Sequence, residues 1–243
     1  MNTGKSNAGH VFVIDGTDSS GKQTVSDAVY TKLKENGYQV QKVSYPNYDS
    51  ASSALVKMYL NGEFGDNADE VNPYTASSFY AVDRIASYLK EWKKFYESGG
   101  IIIADRYTTS NAIHQASKIH NETERLAFLE WLWDLEFTKL GLPIPSEVIF
   151  LNMPIQNSMK LMAERMNKIT GESAKDIHES NLEFMKQSYE NACWVADKQQ
   201  WKAISCITTE SWEEKIAKDI PGDLRPLDAI ITDAYTLIVE RMK

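Results

Sequence analysis

Phe12-Val13-Ile14-Asp15-Gly16-Thr17-Asp18-Ser19-Ser20-Gly21-Lys22-Gln23-Thr24 is the stretch on which the reading of this chain turns. An apolar run from Val11 to Ile14 ends in glycine. Gly-Lys follows after four intervening residues, and a helix-compatible segment then begins. Strand, loop and helix in that order make a phosphate-binding loop. Gly16 and Gly21 let the backbone curl so that successive N–H groups face an anion, the helix start adds partial positive charge, and Lys22 reaches the terminal phosphates. Gly16, Ser19, Ser20, Gly21, Lys22, Gln23 and Thr24 are therefore the expected nucleotide contacts. One position departs from the usual pattern. After the lysine a Ser or Thr hydroxyl ordinarily binds Mg²⁺, whereas this chain has Gln23 followed by Thr24. Either the Gln23 amide oxygen takes the metal, or phosphates, water and a carboxylate elsewhere hold it.

Around that loop, 243 residues are enough for one α/β domain with a sizeable core. The 26 basic and 34 acidic residues leave a net charge of −8, which argues against a surface that coats nucleic acid. A phosphate site must then be a local positive pocket in an acidic molecule. Cys193 and Cys206 have no C-x-x-C spacing and read as buried thiols of a cytoplasmic protein. No apolar stretch reaches 18 residues and no export signal precedes His10, so no membrane partner is expected.

Strand-like runs at Val11–Asp15, Gln39–Ser44, Ile101–Asp105, Val148–Leu151 and Lys202–Ile207 alternate with helical segments. The alternation predicts a five-stranded parallel sheet with helices on both faces. The helices are expected at Lys22–Glu35, Ser50–Asn61, Tyr74–Ser98, Ser110–His120, Glu122–Leu140, Ile155–Met166, Ile177–Asp197, Ser211–Lys218 and Leu227–Met242. With no repeat or linker visible, residues 1–243 read as a single domain. A short lid is expected at about 167–178, around Gly171.

Asp105-Arg106-Tyr107 closes the third apolar run. The carboxyl ends of parallel strands face the ligand crevice, so Asp105 is placed to hold Mg²⁺ directly or through water. Arg106 is placed to meet a phosphate with its planar guanidinium. Tyr80 and Arg84, four apart, share a helix face, a ring for stacking beside a donor for a carbonyl.

The P-loop, Tyr45-Pro46-Asn47-Tyr48, Phe79-Tyr80-Ala81-Val82-Asp83-Arg84, Asp105-Arg106-Tyr107-Thr108-Thr109-Ser110-Asn111 and Leu142-Pro143-Ile144-Pro145 together resemble the thymidylate kinase family. Order and spacing match from about Val11 to Leu151, and more loosely to Ile207. The resemblance implies a P-loop kinase architecture and transfer of the γ-phosphoryl of ATP, with Mg²⁺, to dTMP. It also implies a homodimer. By position, Asp18 would bond the acceptor 3′-hydroxyl, Tyr80 would stack on the base, Arg84 would bond its 4-oxo group and Asn111 its edge. Arg106, with Tyr48, would hold the acceptor phosphate, and Ser110, His114 and Gln115 complete the expected acceptor site.

There are departures. Asn47 and Tyr48 stand where the family commonly has a basic residue, and His114 where an aromatic ring usually packs under the deoxyribose. Ser19 replaces the P-loop arginine of one branch, and Asp176-Ile177-His178-Glu179 lacks the lid arginine of the other. Arg165, Lys168 and Lys175 remain as sources of positive charge, with Arg165 preferred for its planar fork. A deoxynucleoside kinase or a related pyrimidine nucleotide kinase on the same fold is the alternative, the former favoured by the missing basic residue at 47 or 48. A guanine-nucleotide switch fits poorly, because Asn167-Lys168-Ile169-Thr170 lacks the aspartate of N-K-x-D and Asp219-Ile220-Pro221-Gly222 lies far from the third strand.

Overall fold

The computed structural model describes residues 8–65, 67, 70–168 and 182–243, with only the backbone described at 165–168 and 211. Most of the expected lid lies outside the described residues, as do Lys175 and the side chains of Arg165 and Lys168.

The described strands are β1 His10–Asp15, β2 Val40–Ser44, β3 Ile101–Asp105, β4 Glu147–Asn152 and β5 Lys202–Ser205. They form one all-parallel sheet in the order β2-β3-β1-β4-β5. Alternate residues of each central strand enter different cores, as the two-residue period of a strand requires. Phe12 and Ile14 of β1 and Ile103 of β3 pack with Val25, Val29 and Leu33 of α1 (Lys22–Glu35) and with Ile230, Ala234 and Ile238 of α10 (Leu227–Arg241). Val11, Val13, Ile102 and Ala104 face the other way, against Tyr88, Trp92 and Tyr107. Burial on both faces is why these strands read as unbroken apolar runs.

The other helices are α2 Ala54–Leu60, α3 Pro73–Ser87, α4 Lys93–Glu97, α5 Thr108–His114, α6 Glu122–Trp133, α7 Ile155–Lys168, α8 Leu182–Lys198 and α9 Thr209–Ala217. Two expected continuous helices are interrupted. The segment Tyr74–Ser98 carries a π-helical turn at Tyr88–Trp92, and Glu122–Leu140 carries one at Asp134–Lys139. Helix α5 begins at Thr108 rather than Ser110, one residue after the extended Tyr107. Local chemistry sets the other starts. Asn72 caps α3 by accepting the Tyr74 N–H at 2.8 Å, with Pro73 at the first helical position. Gly21 precedes α1 at φ 85°, a left-handed conformation open to glycine at little cost.

Candidate active site

The carboxyl ends of β1 and β3 are neighbours in the sheet, with Ile14 level with Asp105. This register brings the P-loop and Asp105-Arg106 together. At Gly16 a Cβ would lie 2.8 Å from the Leu151 carbonyl oxygen and 2.8 Å from Ser20 Oγ, so only glycine lets the loop pass this close to β4. Lys22 folds back over the loop and donates to the Thr17 carbonyl at 2.6 Å. Burial pushes its ammonium down to about 8, and Arg106 adds repulsion against the attraction of Asp18, Asp15 and Asp105. Ser19 and Arg106 both sit in the left-handed region, at φ 57° and 64°, which is costly for residues with a Cβ.

Asp15 is a fully buried carboxylate held by three donors. Oδ1 accepts the Gly16 N–H at 2.8 Å, and Oδ2 accepts Thr109 Oγ1 at 2.5 Å and Ser110 Oγ at 2.8 Å. The P-loop is thereby tied to the first turn of α5. Arg106 crosses to Asp18, donating from Nη2 to Oδ1 at 2.6 Å, with Nη1 3.2 Å from His114 Nε2. Burial alone would raise the Asp18 carboxyl, but Arg106, His114 and Lys22 outweigh it and hold it well below the ordinary range.

All nine expected acceptor residues line a single cleft: Asp18, Tyr48, Tyr80, Arg84, Arg106, Ser110, Asn111, His114 and Gln115. Tyr45, Pro46, Leu60 and Tyr107 complete it, and its empty space, open mouth included, is about 560 Å³. Gln115 Oε1 is buried in the cleft wall with no protein partner among the described residues.

The sequence motifs prove to be bonded to one another. Asp83 accepts the Asn47 N–H at 2.7 Å and Ser52 Oγ at 2.6 Å, which holds the loop after β2 over the cleft. Tyr107 donates its hydroxyl to the Pro143 carbonyl at 3.1 Å. Arg84 meets Asn111 Oδ1 at 2.7 Å and Glu136 at 2.5 and 2.6 Å. Glu136, Asp83 and Asp15 carried no expected role. Glu136 did have a sequence signal: with Leu129, Leu132 and Trp133 it falls on the apolar stripe of its helix, where a carboxylate needs a reason.

Asp105 is buried at the end of β3, within 3.5 Å of Ser44 Oγ and 4.0 Å of Lys42 Nζ. Burial raises its carboxyl above the usual range, against the pull of Arg106, Lys42 and Lys22. Gln23 is exposed in the first turn of α1. Among the described residues, no three His, Cys, Asp or Glu side chains cluster as a metal cage.

Comparison with known proteins decides the family. Residues 14–220 match the thymidylate kinase family. This chain belongs to that family. It is 27% identical over 179 residues to the thymidylate kinase of Mycobacterium tuberculosis, covering 73% of this chain and 81% of that protein. A Thermococcus gammatolerans protein named "Probable thymidylate kinase" is 26% identical over 216 residues, 88% of this chain and 95% of the relative. The Plasmodium falciparum thymidylate kinase is 25% identical over 184 residues, covering 74% and 80%. The chain is accordingly a nucleoside monophosphate kinase with the α/β fold of the P-loop kinases. Among its described residues no helix is long and apolar enough to cross a membrane.

Proposed function

We propose that this enzyme transfers the γ-phosphoryl of ATP to dTMP, giving dTDP and ADP. The observation that carries the reading is the shared wall of the two sites: the Asp18–Arg106 pair belongs at once to the P-loop and to the cleft. ATP phosphates lie on the P-loop, against Gly16, Ser19, Ser20, Gly21, Lys22, Gln23 and Thr24. In the cleft Tyr80 stacks on the base, while Arg84 and Asn111 meet its 4-oxo and N3 edge. Asp18 accepts the sugar hydroxyl, and Arg106, with Tyr48 at the mouth, meets the acceptor phosphate. That phosphate, with a second pKa of about 6, is already mostly dianionic at neutral pH, so the reaction asks for positioning and charge neutralisation rather than a general base.

Asp105 and Gln23 would hold Mg²⁺ together with the phosphates and water, a sparse protein ligand set that suits this ion. Bound there, the ion would neutralise charge on the β- and γ-phosphates. Arg165, Lys168 and Lys175, which bracket Gly171 in the sequence, supply the remaining charge in this reading. Single alanine variants test it, with at least one expected to lower kcat about tenfold or more while acceptor affinity holds.

We also place the enzyme in the cytoplasm as a homodimer. Both cysteines are free thiols, and Val82 of α3 and Leu89 of the π-helical turn that follows it are exposed. A coupled ADP-release assay with ATP-Mg²⁺ and dTMP, dUMP, UMP, dCMP, AMP, GMP and thymidine tests the central reading. Preference for dTMP supports it, and preference for thymidine transfers the assignment to a nucleoside kinase.

A further inference from the structure

Behind the cleft, in the π-helical turn Asp134–Lys139, lies the fully buried carboxylate of Glu136. It does not line the cleft. Its Oε2 accepts Arg84 Nε at 2.6 Å and Thr108 Oγ1 at 2.7 Å, and its Oε1 accepts Arg84 Nη2 at 2.5 Å. Stability gives little reason for such a pair, since apolar residues of similar volume commonly serve as well or better. Geometry gives a reason. π-helical turns are frequent at functional sites, and this one carries the only protein carboxylate bonded to Arg84 among the described residues.

A guanidinium has five N–H donors and no acceptor. Nε and one Nη2 hydrogen go to Glu136, the other Nη2 hydrogen goes to Asn111 Oδ1, and Nη1 reaches the Tyr107 carbonyl at 3.4 Å. One Nη1 hydrogen is left for the cleft that Arg84 lines. Because arginine can only donate, Asn111 must turn its oxygen toward Arg84. Its Nδ2 donates instead to Ser77 Oγ at 3.1 Å. The roll of the guanidinium thus sets the orientation of the amide, and Glu136 sets the roll.

We propose that Glu136 is the positioning residue for base selection: it holds Arg84 as donor and Asn111 as acceptor, side by side in the cleft. A pyrimidine with a 4-oxo group and an N3–H complements that pair, whereas a 4-amino pyrimidine with a bare N3 opposes it at both positions. Wrongly paired buried donors and acceptors are what make such discrimination steep. The proposal rests on the reading of the cleft as the acceptor-base site.

Glu136→Gln tests it, because the amide offers Arg84 one acceptor and one clashing donor. The expected result is a KM for dTMP raised about tenfold or more, the scale of one charge-assisted hydrogen bond, with the KM for ATP within about twofold. The kcat/KM preference for dTMP over dCMP should fall by roughly the same factor, and Glu136→Asp, which keeps the carboxylate, should retain most of it. Thr108→Val removes one donor to Glu136 without altering a cleft residue, and should move both ratios the same way by about threefold. It carries the test if the glutamine variant does not fold. Unchanged preference for dTMP over dCMP in both variants overturns the proposal, as does a parallel rise in both KM values with a loss of melting temperature. Wild-type enzyme that leaves dTMP unphosphorylated would instead overturn the assignment of the cleft, and this inference with it.

Discussion

Lys22 is held in the folded protein under opposing fields. Its ammonium titrates near 8 against an ordinary 10.5, because burial removes its water and Arg106 repels it. Below about pH 8 both folded and unfolded chains carry the proton, and keeping the charge costs the ligand-free enzyme on the order of 3 kcal/mol. Between about pH 8 and 10.5 the unfolded chain holds a proton that the folded chain has released, so stability rises with pH across that window. Lys22→Met should therefore abolish turnover by orders of magnitude while raising the stability of the ligand-free enzyme at pH 7. Its stability should also change less between pH 8 and 10 than that of wild type. Denaturant titrations of both proteins across this range check it, and parallel pH slopes would refute the assignment.

Arg84 calls for a different experiment. It is 1% exposed and paired with a fully buried Glu136, so Arg84→Ala strands a carboxylate and should cost about 3–5 kcal/mol of stability besides its effect on dTMP. The double variant Arg84→Met with Glu136→Leu should recover most of that stability without recovering dTMP turnover. Recovery of both would show that the pair has no part in binding.

At the scale of elements, the two glycines of the P-loop differ in why they are needed. Gly16 is required by close approach, since a Cβ would meet the Leu151 carbonyl oxygen, a backbone atom of β4, at 2.8 Å. Gly21 is required by its φ of 85° alone, since a Cβ there meets nothing within 4 Å. Gly16→Ala should displace the loop and lower kcat about tenfold or more, whereas Gly21→Ala should cost about 1 kcal/mol with a milder loss. Equal activity in the two variants, measured at matched ATP saturation, would contradict this distinction. The two π-helical turns belong to the same scale. Periodicity reads Tyr74–Ser98 and Glu122–Leu140 as continuous helices because one inserted residue shifts the apolar stripe too little to register over so short a span.

Across the whole molecule, the proposed assembly draws on Val82 of α3 and Leu89 of the π-helical turn after it, two of several large apolar side chains exposed among the described residues. Val82 is 48% and Leu89 60% exposed, and Tyr80 and Arg84 of the same α3 as Val82 line the cleft. Replacing both with glutamate should convert the proposed homodimer to monomer in sedimentation velocity. A wild type that sediments as a monomer, or a variant that remains dimeric, would refute that assembly.

The nucleotide loop, the five strands and the parallel sheet were legible in the sequence because each depends on local pattern: glycine spacing, β-branched runs and the length of the crossovers. Helix α1 is found at Lys22–Glu35, as read, because the loop before it and the polar break after it are both local signals. The nine expected acceptor residues came from the resemblance carried by motif order, and the fold brings them into one cleft. Tertiary structure alone decided their partners. That Asp18 meets Arg106, that Asp15 ties the P-loop to Thr109 and Ser110, and that Glu136 orients Arg84 from 52 residues away depend on the packing of distant elements. A buried charge takes its partner from whatever the fold places within about 3 Å, and no local pattern in the chain encodes that distance.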